Sequence, residues 1–174
     1  MFRKISVATD GSPLAGRAVE TAADIAAKCG SELTVLHVLL HGDPPEALRQ
    51  MAKIEHLIED SPQPRIAVDN IPTQMMVAAA DLDRHDLDHR VVMAIGEKII
   101  EQAKGKAHKS GAASVKGEVL EGDYADEIIS AVKRDGADLV VLGTRGHGLV
   151  EGLLMGSVSQ KVAQEAGCAC LVVR

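Results

Sequence analysis

An apolar run at 138–142 is followed at once by glycines at 143 and 146, nine further residues, and a Gly156-Ser157 pair that opens an amphipathic segment. A buried strand, a glycine loop and a helix N-terminus in that order restrict the chain to a small set of α/β arrangements. They also make an anion site: glycine lets a bulky oxyanion approach the main chain without meeting a Cβ. The free N–H groups of a first helical turn, with the helix dipole behind them, favour negative charge by about 0.3–1 kcal/mol. Ser157 and Ser159 add hydroxyls. A tight turn with serine capping fits the same residues, so the loop alone leaves both readings open.

Hydrophobic periodicity extends the pattern to both ends of the chain. Residues 3–9 read as a strand and 14–29 as an alanine-rich helix whose inward face is Ala15, Ala18, Val19, Ala22, Ile25 and Ala26. Ser12-Pro13 opens that helix, serine capping and proline in the first turn. Residues 32–39 are a second strand. Later come a helix over 91–110, a strand over 115–121, a helix over 124–135, a strand over 137–142, a helix over 157–165 and a last strand over 169–173. Five strands separated by helices predict a doubly wound, five-stranded parallel sheet with helices on both faces.

In such a sheet ligands bind outside the carboxyl ends of the strands, where strand order reverses. Three segments end strands with suitable chemistry: 8–12, 37–39 and 142–143. Asp10 is the only carboxylate that follows one of these strands directly. It could hold a cation, accept from a ribose hydroxyl, or bond its own loop as a turn aspartate.

Composition narrows the ligand. With 174 residues the chain suits one domain, burying about two-thirds of its unfolded surface. The net charge of −6 argues against a nucleic-acid groove, which wants a basic stripe or aromatic stacking platforms. The chain has no Trp, one Phe and one Tyr, so an adenine would be gripped by aliphatic side chains and backbone amides. The opening residues read directly as strand, and no apolar run approaches the length of a membrane span. A cytoplasmic protein, without membrane association, is expected. Cys168 and Cys170 form a C-x-C, not the C-x-x-C of zinc or redox sites, and with Cys29 read as ordinary small residues.

Several segments together carry a resemblance: V-A-T-D-G-S at 7–12, L-T-V-L-H-V at 33–38, A-D-L-V-V-L-G-T-R-G at 137–146, G-S-V-S-Q-K-V at 156–162 and C-L-V-V at 170–173. The chain resembles a universal stress protein domain, within the wider adenine nucleotide alpha hydrolase-like folds. The G-2x-G-9x-G-S/T spacing, met by Gly143, Gly146, Gly156 and Ser157, is similar to that of the ATP-binding branch. The resemblance implies adenine and ribose contacts from Ala8, Thr9, Asp10 and Val38. It implies phosphate contacts from Leu142, Gly143, Thr144, Arg145, Gly146, His147, Gly148 and Leu149, and from Ser157, Val158 and Ser159 after Gly156. Arg145 and His147 suit solvent as well as phosphate. ATP, or AMP or ADP in its place, is the implied cofactor, and a polyanion at an acidic protein invites Mg, near Asp10. Relatives commonly dimerise through the last strand, here 169–173, although Ala169 stands where many carry proline.

The resemblance covers the ends of the chain and not its middle. Residues 44–57 read as a helix, 60–64 as a break and 71–87 as another helix. Within a single domain over 1–174, the segment 43–90 is therefore expected to be a helical insert after the second strand, since a structureless loop of that length does not suit a compact domain. Met51, Ile54, Leu57 and Ile58, and then Met75, Met76 and Ala79, form apolar stripes suited to packing. Asp81, His85 and His89 share a helix face, compatible with a metal ion and equally with a solvated surface.

No Walker lysine precedes Ser157, and no residue is placed by motif to orient a water. The expected function is a nucleotide-dependent sensor or regulator in stress response, with no catalytic residues and at most slow ATP hydrolysis. A weak ATPase is one alternative. A nucleotide-free module that binds a protein partner through the insert is another.

Overall fold

The computed structural model describes residues 2–39, 73–144 and 155–174. Its elements run in the order β1 Lys4–Ala8, α1 Pro13–Cys29, β2 Glu32–Val38, α2 Thr73–Lys109, β3 Ser114–Leu120, α3 Tyr124–Asp135, β4 Leu139–Gly143, α4 Ser157–Glu165 and β5 Ala169–Val173. The chain divides into two compact units, Met1–Leu39 with Gly96–Arg174, and Leu40–Ile95. The sheet belongs to the first.

That sheet has five strands in the order β3-β2-β1-β4-β5, every neighbouring pair parallel. Strand order therefore reverses between β1 and β4. The register stacks like residues across the strands: Ile5 lies opposite Leu33 and Leu139, and Val7 opposite Val35 and Val141. Strand side chains alternate between faces, so these six residues form two apolar rows on one face. They pack with Ala18, Ala22 and Ala26 of α1 and with Ile100, Ala103 and Ala107 of α2. Alanine on the helix side lets the α1 backbone come close to the sheet.

The opposite face carries Leu36, Val38, Val140 and Leu142, packed with Ile128 and Val132 of α3 and Val162 of α4. Both faces are thus covered, as near-continuous apolar strands require. Each fully buried Val or Leu contributes about 1.5–3 kcal/mol relative to exposure. At the start of the two central strands, Asp138 accepts the Arg3 N–H at 2.7 Å and the Lys4 N–H at 3.0 Å. These bonds set β1 beside β4 from their first residues.

The expected five-stranded, doubly wound sheet is present, and α3, α4 and β5 start and stop where periodicity puts them. The break expected between residues 87 and 91 is absent: α2 runs without interruption from Thr73 to Lys109. No Gly or Pro occurs between Thr73 and Ile95, so nothing in the backbone chemistry stops the helix there. The helix expected over 44–57 and the break at 60–64 lie outside the described residues.

Candidate functional site at the carboxyl ends of β1 and β4

The loop after β1 is built by its own short polar side chains. The Thr9 N–H donates to the Leu36 carbonyl at 2.9 Å, carrying the β1–β2 ladder one residue past the strand. The Gly11 N–H then donates to Thr9 Oγ1 at 3.2 Å, and the Ser12 N–H to Asp10 Oδ1 at 3.0 Å. Asp10 thus fills the turn role, with one carboxylate oxygen committed to the loop. Gly11 sits at φ +81°, a left-handed conformation that costs an L-residue about 1–2 kcal/mol. Ser12 Oγ accepts the Ala15 N–H at 3.3 Å, and Pro13 follows at the first helical position.

The second wall starts at β4. The Thr144 N–H donates to the Val173 carbonyl at 2.8 Å, and the Gly156 N–H returns to the Thr144 carbonyl at 2.7 Å. Both ends of the segment that begins at Arg145 are therefore held beside the end of β4. Residues 145–154, with Arg145, Gly146, His147, Gly148 and Leu149, lie outside the described residues. Ser159 Oγ donates to the Gly143 carbonyl at 2.8 Å. Its one hydroxyl proton is spent there, so its remaining donor is the backbone N–H.

Helix α4 opens differently from the other two helices that start at a described cap. Ser12 and Asp123 cap α1 and α3 with side-chain oxygens, whereas Gly156 caps α4 with no side-chain hydrogen bond. The first intrahelical bond is from the Gln160 N–H to the Gly156 carbonyl at 2.9 Å. The N–H groups of Ser157, Val158 and Ser159 thus belong to the first turn, which has no intrahelical acceptor for them. Gly156 is at φ −73°, ψ 155°, a conformation open to any residue. Its value at this point is the missing side chain.

Ala8, Val38 and Leu142 all lie on the sheet face that packs with α3 and α4. The structure therefore collects Ala8, Thr9, Asp10, Val38, Leu142, Gly143, Thr144 and 156–159 around the carboxyl ends of β2, β1 and β4. This is the strand-order reversal, where open α/β sheets take their ligands. Lys161, the first cation of α4, reaches Asp126 of α3 at 2.6 Å, so it does not supply the phosphate lysine of a Walker loop.

His37 falls in the strand end 37–39 that the sequence singles out, although no role for its side chain was expected. It is buried, and its Nδ1 lies 2.8 Å from the Thr9 carbonyl. A carbonyl only accepts, so Nδ1 carries the proton. Burial pushes the imidazole below its ordinary pKa, opposed by the Thr9 hydrogen bond and by the Asp10 charge. The signal was present in the alternation of Leu33, Val35 and His37, which puts a polar ring on an inward row at the end of a strand.

Other candidate features fall elsewhere. His89 is exposed on α2, and the side chains of Asp81 and His85 lie outside the described ones. Among the described residues, no group of three or more His, Cys, Asp or Glu is placed to hold a metal ion. Burial pushes the Cys168 and Cys170 thiols up, which disfavours the reactive thiolate. A groove of about 340 Å³ lies at the amino-terminal ends of the strands, lined by Lys4, Glu32, Lys116, Glu118, Arg134 and Asp135. Its charges answer one another, Arg134 reaching Asp135 at 2.9 Å and Lys116 reaching Glu32 at 3.8 Å.

Comparison with known proteins gives the same fold. The model of the universal stress protein family matches residues 1–174. The chain belongs to that family. The universal stress protein YxiE of Bacillus subtilis is 32% identical over 178 residues, with 100% of each chain covered. Among solved structures, a universal stress protein in complex with cAMP aligns with a TM-score of 0.59 at 21% identity, covering 99% of this chain and 97% of the other. The universal stress protein of Archaeoglobus fulgidus in complex with dAMP aligns at 0.58 and 18% identity, covering 99% and 98%. These structures share the universal stress fold, to which the β3-β2-β1-β4-β5 sheet conforms.

Proposed function

We propose that this universal stress protein binds an adenine nucleotide, ATP in the first place, at the carboxyl ends of β1 and β4. The observation that carries the reading is the start of α4: a helix N-terminus at the strand-order reversal whose cap residue, Gly156, puts no side chain between the first-turn N–H groups and a ligand. Phosphate oxygens accept from the N–H groups of Ser157, Val158 and Ser159 and from the loop 143–149. The base lies toward Ala8 and Val38, and the ribose toward Thr9 and Asp10. The complexes of family members with cAMP and dAMP support the ligand class.

Magnesium would accompany the triphosphate. Mg²⁺ sites use one or two carboxylates together with substrate phosphates and waters. Asp10 is a half-buried carboxylate directly after β1 and fits that demand. AMP or ADP suits the same cradle with fewer phosphate contacts.

The protein acts as a cytoplasmic, nucleotide-dependent sensor or regulator in stress response. Hydrolysis is slow or absent, a reading supported by Lys161 being paired with Asp126. Nucleotide binding shifts the molecule only as far as ATP favours one arrangement over another. The whole of 1–174 acts as one universal stress domain, in which 43–90 is an insert available to a protein partner. Among the described residues no helix is long and apolar enough to cross a membrane. Two copies associate through β5.

Calorimetric titration of the protein with ATP, AMP and cyclic AMP, with and without Mg²⁺, tests the reading. ATP should bind, and more tightly with Mg²⁺. Absence of heat with every nucleotide, confirmed by equilibrium dialysis, would leave the nucleotide-free interaction module as the better account.

A further inference from the structure

The β1–α1 loop, residues 9–12, contributes two of the residues proposed to hold the nucleotide, Thr9 and Asp10, and is braced from within by Asp10 Oδ1 and Thr9 Oγ1. A second element must fix where the Thr9 peptide points. We propose that His37 is that element, a positioning residue whose neutral imidazole latches the β1–α1 loop to the end of β2 through the Thr9 carbonyl. The inference rests on the nucleotide reading above for its effect on affinity, and on the geometry alone for its effect on the loop.

Three features of the ring's surroundings carry it. First, the bond runs from a side chain of β2 to the main chain of the loop, at 2.8 Å and between residues that are each less than a tenth exposed. Water has little access to replace it, so its loss would leave a buried acceptor unsatisfied. Second, the preceding peptide, between Ala8 and Thr9, is held by the Thr9 N–H bond to the Leu36 carbonyl. Thr9 is thus gripped at both its donor and its acceptor by consecutive residues of β2, one bond on each of the two peptides that flank its Cα, and His37 is the one that holds the peptide leading into Asp10. Third, the ring itself is confined. A Cβ at Gly96 of α2 would come within 3.1 Å of His37 Cδ2 and 2.7 Å of Leu39 Cδ2. The helix backbone closes against this edge of the imidazole because residue 96 has no side chain, which fixes the ring with Nδ1 toward Thr9.

Position, not charge, is what the latch supplies. Burial keeps the ring uncharged, so it adds no cation for phosphate to meet. Its contribution is to present Thr9 and Asp10 at one fixed height above the sheet.

Two substitutions separate donation from volume. In His37→Asn, the amide nitrogen takes the place of Nδ1 and can still donate to Thr9. In His37→Leu, a side chain of similar bulk cannot. ATP affinity by calorimetry should fall at least tenfold in His37→Leu and stay within about threefold of the parent in His37→Asn. Amide hydrogen exchange provides the readout that does not depend on nucleotide. Protection at Gly11 and Ser12 should be lost in His37→Leu, retained in His37→Asn, and accompanied in the parent by an NMR signature of Nδ1–H with a bare Nε2. Equal affinity and equal protection in folded His37→Leu would overturn the latch. If the parent binds no nucleotide, the proposed function fails, and the exchange pattern and tautomer still decide the latch by themselves.

Discussion

Glycine does two separate jobs around this site, and dihedral angles tell them apart. Gly11 at φ +81° is required by the backbone, whereas Gly156 at φ −73° is not. The backbone at 156 therefore admits a branched residue without left-handed strain. Gly156→Val should weaken ATP binding at least tenfold, about 1.4 kcal/mol, while the poorer N-cap costs about 1 kcal/mol of stability. Calorimetry paired with urea unfolding checks both halves, and undiminished affinity in the folded variant would count against the cradle. His37 adds a pH term. Its folded pKa is lowered from 6.5 chiefly by burial, so below that value the unfolded chain binds more protons than the folded one. The stability it contributes is complete above about pH 6.5 and is lost as pH falls through the lowered folded pKa. Urea unfolding between pH 7.5 and 5 should show a steeper acid loss in the parent than in His37→Asn, and parallel curves would refute the assignment.

At the scale of elements, the contrast among helix starts explains which of them the sequence disclosed. Capped helices declare themselves: Ser12-Pro13 before α1 and Asp123 before α3 are chemical marks that a reader of sequence can use. Asp123 accepts the N–H groups of Ala125 and Asp126 at 3.1 and 3.2 Å. Asp123→Ala should cost about 1 kcal/mol of stability, measured by denaturant unfolding. Alternating apolar residues likewise made β1, β2, β4 and β5 legible, together with the glycine spacing that leads into α4. Three matters were not legible. The continuity of α2 was hidden by charged residues at 81–90, which look like a boundary when periodicity is the only guide, although no residue there breaks a helix. The latch by His37 depends on which strand lies beside β1, and pairing between strands is not written in local pattern. The commitment of the Ser159 hydroxyl to Gly143 likewise follows from how α4 lies on β4.

For the molecule as a whole the open question is what meets the outer edge of β5. Its residues are only partly buried along an apolar run, Leu171, Val172 and Val173, and a bare apolar edge invites pairing with another strand. The ladder to β4 tells which backbone groups are available. Ala169 donates its N–H to the Asp138 carbonyl, and Val173 accepts from the Thr144 N–H. In a parallel ladder, alternate residues turn to the same side, so 169, 171 and 173 bond β4 while Cys170 and Val172 present their N–H and C=O outward. Proline can therefore separate assembly from folding. Val172→Pro removes an outward donor, a change that edge strands tolerate, and should convert a dimer to a monomer by sedimentation with the circular dichroism spectrum retained. Leu171→Pro removes a donor to β4 and should lose the fold. A Val172→Pro protein that stays dimeric would move the interface away from β5, to the segment 43–90 or to another face, and with it the place where nucleotide binding could alter what the pair presents.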